Sequence, residues 1–513
     1  MGKGSFICWM ATLIKKNNVK SYKMEKKRSN IARLLLLILA PFLLFGLICN
    51  GQKTLSEGDY TLQQCVEMAI RNNPLVKQSE FTMLNDRVNL EGAIGNMLPS
   101  VNGFFSRSIF NGKSINPFTN AYINQGNTAD NYQITGSIVL WNGFSIYNYI
   151  RQSSLAYQAG KMDWQQTRDQ TAITVILDYL AVLNLQEQLD NALSQASVNK
   201  EQTDRLTTLN NQGAIAPSDL YNEKGQLNSS LIQVLNTRNA LLTAKLTLSQ
   251  EMNIPFDTAM QLEPLKISSM RLYSDSVDRI YQYALKNLPF VRAAKLHEES
   301  AKEGLKSARG QLFPVISLNG GLATNYSSVA SSQELISTSD ELTSNYVMIN
   351  NAKDPVYGPV SNYNSLMIPY QKQINNNFNS YIGLTLQIPI INRLQARGKV
   401  AQAKITEDQS EFQLKTAKIQ LKQAIEQDYL NMTNAYSSYL NLEDQVKDYA
   451  ESFREAGVKF NAGSINSVDY ITVENLLNQA RLNLIAAKYN YILDNRIMDY
   501  YQGRLGISTS GTD

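Results

Sequence analysis

Ala69-Ile70-Arg71-Asn72-Asn73-Pro74-Leu75-Val76 is followed, much later in the chain, by Ala284-Leu285-Lys286-Asn287-Leu288-Pro289-Phe290-Val291. Alanine, asparagine, proline and valine recur in the same places, displaced by 215 positions (284 − 69). The displacement still holds at Leu98-Pro99 against Phe313-Pro314. Further on, Asn142 answers Asn392, Gly213 answers Gly463 and Asp219 answers Asp469, now displaced by 250 (392 − 142). Similarity at a fixed spacing marks an internal tandem duplication. The extra 35 residues (250 − 215) form an insertion between Pro314 and Asn392. It falls in the Ser/Asn/Tyr-rich stretch Ser327–Asn377, which reads as a long surface loop.

Both copies carry the same elements in the same order. A helical segment comes first, about Thr61–Met97 and Ser276–Leu312, ended by Pro99 or Pro314. Two strand-like segments follow. Tyr132, Ile134, Gly136, Ile138 and Leu140 alternate with polar neighbours, as do Ile382, Leu384, Leu386 and Ile388, and Ile316, Leu318 and Leu322. Period-two patterning of this kind marks strands with one apolar and one polar face. Val101–Phe110 is the less regular fourth strand. Then come proline-free stretches rich in Ala, Gln, Leu, Lys and Glu, about Phe144–Leu209 and Leu394–Phe460. Each would run roughly 100 Å as a helix. Glycine-containing turns at Gly213 and Gly463 reverse the chain into return helices, about Ser218–Met252 and Val468–Gln502.

The first helix and the return helix, stacked end to end, match one long helix in length, so each copy reads as a two-rod wall. Helices this long exceed a globular core and must pack laterally, as coiled coils do. Four strands cannot close a barrel, and an open sheet in lipid would strand its edge N–H and C=O groups at several kcal/mol each. Subunits must therefore pool strands: three copies give twelve, enough for a lumen. The expected fold is thus mainly α with membrane β: a long α-helical barrel, plus four strands per subunit in a shared 12-stranded trimeric transmembrane β-barrel. The alternative is a soluble β-sandwich with helical arms. Trp141, Phe144, Tyr147 and Tyr149, with Tyr326, Phe378 and Tyr381, favour the membrane reading, because aromatic girdles mark where a barrel meets the headgroups.

Charge and composition narrow the function. The chain nets +4, but residues 1–51 hold nine basic and one acidic residue, leaving the remainder at −4 (48 − 9 against 44 − 1). No basic excess is left for nucleic acid. One histidine, His297, cannot build a histidine metal cluster, and His297 and Cys65 read as packing residues. No cofactor, metal or catalytic constellation is expected, so the chain reads as a non-enzyme. Lys26-Lys27-Arg28 and Arg33 precede the apolar run Leu34–Ile48, the order of a secretory signal. Cys49 is a rival lipidation site, although the bulky Ile48 precedes it. The expected divisions are a signal region at 1–51, repeats at 52–275 and 276–502, and a tail at 503–513.

With these features the chain resembles the TolC family of outer-membrane efflux proteins across nearly all of residues 60–502. The resemblance rests on Asn73-Pro74-Leu75 with its echo Leu288-Pro289-Phe290, the turn Leu140-Trp141-Asn142-Gly143, and Phe460-Asn461-Ala462-Gly463 with Asp469. It implies a homotrimer in outer-membrane lipid whose helical tunnel crosses the periplasm. It also implies a periplasmic adaptor and an inner-membrane pump of RND or ABC type, in a tripartite efflux or type I secretion system. The chain would be the passive exit duct. In the family's best-known member an aspartate after the tip turn projects into the tunnel mouth, and Asp469 matches it. A second aspartate one turn later is Thr472 here, the tip tyrosine is Phe460, and the arginine two residues past the tip glycine is Ile465.

Asp469 and Asp219 are therefore gate or selectivity candidates with Phe460, and Gly213 and Gly463 mark the tips. A ring of carboxylates at a narrowing attracts cations and repels anions. Each aspartate has a structural reading too: it lies just inside a helix start, with Ser467 as a candidate cap for the second, where a carboxylate complements the helix dipole. A different class of function, a periplasmic coiled-coil structural or adaptor protein tethered at its N-terminus, shares the helical pattern.

Overall fold

The computed structural model describes residues 60–504 except 116–119, 121, 125 and 266–269. The signal region and Cys49 lie outside the described residues, as does most of the tail. The first set of elements is α1 (Leu62–Asn72), α2 (Pro74–Gly95), β1 (Ser100–Phe110), β2 (Lys113–Ile115), β3 (Tyr122–Asn124), β4 (Asn127–Trp141), α3 (Ser145–Asn211) and α4 (Pro217–Glu251). The second is α5 (Val277–Asn287), α6 (Pro289–Gly310), β5 (Val315–Ser327), β6 (Ser331–Ile349), β7 (Ala352–Met367), α7 (Tyr370–Asn376), β8 (Asn379–Gln387), α8 (Gln395–Asn461) and α9 (Ser467–Tyr501). Helix lengths match in turn: 11, 22, 67 and 35 residues in each set. At 1.5 Å per residue, α3 and α8 are rods of roughly 100 Å, and the shorter helices add up to nearly the same.

The segments expected as single helices over 61–97 and 276–312 are each broken in two. Pro74 and Pro289 exclude the helical conformation of the preceding residue, so Asn73 and Leu288 are extended, with ψ of 126° and 133°. Proline then opens the next helix, where its missing N–H costs nothing. Asn73 also caps α2 by accepting from Leu75 N at 2.8 Å, and its amide donates to the Glu251 carboxylate at 2.9 Å.

Those breaks sit in two matching cores. Cys65 and Ala69 of α1 pack with Val175 and Val182 of α3 and Leu248 of α4. Ile280 and Ala284 of α5 pack with Ile425 and Met432 of α8 and Met498 of α9. The pairs are displaced by the same two offsets as the sequence, so the duplication rebuilds one joint twice. In the half nearer the sheet the helices run α2, α3, α6, α8; towards the far end α9 lies between α3 and α8, with α4 on the outer side of α3.

One antiparallel sheet, β1-β4-β5-β8, caps the rods. Its register aligns Ile138, Leu318 and Leu384 across three strands, and Ile134 with Leu322. The opposite face is polar: Asn319 donates to Thr385 at 3.0 Å. The outer edges of β1 and β8 pair with nothing in the described residues. The stretch expected as a loop over Ser327–Asn377 is instead a long ribbon, β6 with β7, followed by α7. Two bulges, between Leu335 and Ser337 and between Leu342 and Tyr346, interrupt its alternation and hide it from sequence periodicity.

Candidate functional site

The far end of the rods is built from two helix-turn-helix tips. Gly213 (φ 70°) and Gly463 (φ 71°) are left-handed, as a chain leaving a helix through a glycine requires. Around them Ala214 N donates to Leu209 O and Ser464 N to Lys459 O, both at 2.9 Å, closing the ends of α3 and α8 in the same way. The chain then re-enters helix at Pro217 in one tip. In the other, Asn466 caps α9, accepting from Asp469 N at 2.9 Å. Asn466, and not Ser467, is thus the cap: Ser467 is the first helical residue and is buried.

Ser467 turns sideways instead. Its hydroxyl donates to Asp219 Oδ1 at 2.6 Å and accepts from Asn222 Nδ2 at 3.3 Å, tying the second tip to the first. Asp219 is thereby held within the chain, whereas Asp469 is exposed. The two aspartates, equivalent in sequence, occupy different environments. Phe460 stacks on Tyr470 with centroids 4.9 Å apart, and Tyr470 also meets Phe453 at 5.3 Å. That aromatic column fastens α8 to α9. Further contacts join the repeats: Arg205 to Asn461, Gln226 to Asn475 at 2.8 Å and Asn191 to Asn478 at 2.8 Å.

Below the tips lies a feature that sequence reasoning missed. Glu223 of α4 and Glu474 of α9 are 0% and 1% exposed. Both carboxylate oxygens of Glu223 and Oε2 of Glu474 lack a hydrogen-bond partner, while Gln195 donates to the other oxygen of Glu474. Burial pushes the Glu223 carboxyl up to about 7. Burial, and then the Glu223 charge, do the same for Glu474. A signal existed: Glu223 lies on the buried stripe Leu220, Glu223, Ser230, Val234, Thr237, and Glu474 on Ser467, Tyr470, Glu474, Leu477, at core spacing in both helices. His297, expected as a packing residue, is exposed and bonds Asp163 at 2.8 Å; Cys65 is buried.

At the other end, Gly143 (φ 63°) passes close to α6: a Cβ there would lie 2.6 Å from Gly310 O and from Phe313 Cβ. Strand end and helix start are thus locked together. Among the described residues no helix is long and apolar enough to cross a membrane.

A pair of rods of roughly 100 Å, tipped by glycine turns and crowned by an edge-open sheet with one apolar face, matches the architecture expected from the sequence for an outer-membrane channel subunit. Comparison with known proteins agrees. The family described as Outer membrane efflux protein matches residues 280–496. Outer membrane protein TolC of Salmonella enteritidis is 22% identical over 474 residues, covering 90% of this chain and 86% of that protein. The fold is shared with the Vibrio cholerae outer membrane protein VceC (TM-score 0.71, 10% identity, 86% of this chain and 96% of that one). It is also shared with the Campylobacter jejuni CmeC outer membrane channel (TM-score 0.70, 15% identity, 88% and 87%). The second repeat thus matches the outer-membrane efflux family, and the chain as a whole is similar to TolC and shares its fold with outer-membrane channels. The matched family and the relatives named are outer-membrane proteins.

Proposed function

We propose that three copies of this chain assemble into the exit duct of a tripartite efflux or type I secretion system. The observation that carries this is the four-stranded sheet with two free edges at one end of the rods. Unpaired edge groups cannot remain in lipid, and pooling three sheets closes twelve strands around a lumen with the apolar rows facing outer-membrane lipid. The rods of the two repeats, 52–275 and 276–502, then form the tunnel wall across the periplasm. Energy comes from an inner-membrane pump of RND or ABC type, coupled through a periplasmic adaptor that docks near the tips.

In this assembly Asp469 is the selectivity group. It is exposed at the tip, and three copies set three carboxylates about the axis, which favours cations. Asp219 is instead part of the lock that holds neighbouring tips together, with Phe460 bracing α8 on α9. Electron microscopy of detergent-extracted particles tests the assembly. A three-fold rod about 140 Å long is expected from helix plus bilayer. Recovery of the protein in the soluble periplasmic fraction would sink the duct and favour a tethered coiled coil. In planar bilayers Asp469→Ala lowers cation selectivity; unchanged selectivity and conductance would remove Asp469 from the pore.

A further inference from the structure

Towards the tips the helices of one chain line up α4, α3, α9, α8, so α3 has neighbours on both sides and α8 has one. Burial records the difference. α3 buries Leu189, Ala192, Ala196, Asn199, Thr203 and Leu206. Of their six equivalents 250 positions on, from Tyr439 to Ala456, only Ala456 is buried. These positions keep the three-four spacing that suits lateral packing of helices. The other edge is bare too. Ser467 and Glu474 of α9 are 0% and 1% exposed, whereas their equivalents on α4, Pro217 and Lys224, are exposed. At the sheet end a Cβ on Gly310 would lie 2.7 Å from Gly143 O, but its equivalent Gly95 has nothing within 4 Å. Each uncovered position is the counterpart of one that the other repeat covers.

The joint between α3 and α9 shows what such a cover consists of. Asn191 donates to Asn478 at 2.8 Å, Gln195 donates to the Glu474 carboxylate, and Lys488 donates to Glu187 at 2.7 Å. Moved by 250 positions, α3 becomes α8, and α9 becomes α4 of the next copy. Asn191 and Asn478 then become Asn441 and Asn228, asparagines both. These two are exposed and make no side-chain hydrogen bond among the described residues. A carboxamide both donates and accepts, so such a pair satisfies itself, and asparagine between helices fixes their register. Gln195 and Glu474 become Gln445 and Lys224, again an acceptor with a donor. The brace does not survive the move. Ser467 and Asp219 become Pro217 and Asp469, and proline has neither hydroxyl nor N–H to give.

We propose that the six tips of the trimer are joined by two alternating seams: a braced one inside each chain, and an unbraced one between copies in which Asn441 bonds Asn228 of the next copy. The mouth then opens by parting copies, and the two tips of one chain travel as one body. The inference rests on the trimeric reading above. Contact of α8 with α4 of the next copy is head-to-tail, so it closes into a ring and leaves no rod edge bare. Asp469 lies at each parting seam, beside Pro217 of the next copy, so the exposed carboxylate and the movable contact coincide.

Cross-linking of the full-length protein in isolated outer membranes tests the seam. Asn228→Cys with Asn441→Cys and a short bismaleimide is expected to give covalent trimers on denaturing gels, and either single variant is not. Asn191→Cys with Asn478→Cys is expected to stay monomeric on the same gels. Native mass spectrometry of these preparations reads the assembly separately. Trimers without cross-links from the Asn228/Asn441 pair overturn the seam and leave the duct standing; absence of trimers removes both readings. Planar-bilayer recordings test the parting. Asn228→Asp with Asn441→Asp sets like charges across the seam and is expected to raise single-channel conductance about twofold or more. The same change at Asn191 and Asn478, where the Ser467 brace still holds, is expected to raise it far less. An equal or larger rise from the intrachain pair, or none from the seam pair, overturns opening between copies.

Discussion

Neutralising Glu223 is the sharpest probe of the tip. In the unfolded chain a glutamate carboxyl titrates near 4.5; folded, burial raises Glu223 to about 7. Between these values the folded form binds the proton that the unfolded form has lost, so stability falls as pH rises. The loss starts near pH 4.5, is complete above about pH 7, and is absent below the unfolded value. At ~1.4 kcal/mol per tenfold, this rise corresponds to about 3 kcal/mol of local stability. The surroundings offer little relief. Glu474 is buried beside it, Tyr470 is raised by burial and then by both glutamates, and Arg205 acts on that tyrosine from α3. Glu223→Gln keeps the shape, removes the charge and supplies an amide donor beside the unpartnered Glu474 Oε2. Hydrogen exchange of detergent-extracted protein, corrected for intrinsic rates, reads local opening of the α4 and α9 starts. Wild-type protection there should fall about a hundredfold from pH 5 to pH 8, and most of that fall should vanish in Glu223→Gln. A wild-type tip whose protection does not change with pH, or a variant with the wild-type slope, refutes the reasoning.

Glycine substitutions should separate conformation from crowding. Gly463→Ala meets nothing within 4 Å and carries only the left-handed cost, ~1 kcal/mol, whereas Gly143→Ala adds a clash with Gly310 and Phe313 and should lose ~2–5 kcal/mol in thermal melting. Where the first copy has Gly143 the second has Arg393, left-handed at φ 52°. Arg393→Gly should therefore raise the melting temperature, by ~0.5–1 kcal/mol of stability. Ser467→Ala removes the hydrogen bond to the Asp219 carboxylate and should destabilise the tip by ~1.5–3 kcal/mol, seen as faster exchange at Asp219 and Leu220.

What sequence conveyed and what it hid follow from physical range. The long helices and strands repeat a local pattern, apolar spacing of 3.6 or 2, over many residues, so Ile134 to Leu140 and the proline-free stretches were readable. Pro74 carries the same helix-breaking chemistry as Pro99, but it reopens a helix one residue after the break, so the apolar spacing runs on across it and conceals the interruption. The ribbon escaped because two bulges shift its alternation and Pro355 and Pro359 lie within β7, where they are tolerated only because both strands are edges. Glu223 and Glu474 escaped because their burial depends on α4, α3 and α9 meeting, which no single helix records. Asp219 and Asp469 looked interchangeable for the same reason.

That last difference bears on why a duplicated gene product builds a better tip than a repeated identical one. Two equal copies would present six equal tips in a three-fold ring, all locked or all free. Here divergence at two neighbouring pairs, Ala216 against Asn466 and Pro217 against Ser467, breaks the equality. The first tip ends in Ala214-Ile215-Ala216-Pro217, where Ala216 at the cap position has no side-chain cap to offer, and Asp219 accepts from Ser467. The second ends in Ile465-Asn466-Ser467, where Asn466 takes over capping and frees Ser467 for its neighbour and Asp469 for solvent. One tip is consumed as a brace, and the other keeps an exposed carboxylate. The buried glutamates lie further along α4 and α9, so proton binding there changes the stability of the region beside that brace. Ser467→Ala weakens that brace without touching Asp469 or either glutamate. A change in tip exchange with unaltered ion selectivity would therefore assign bracing and selection to different residues of one turn.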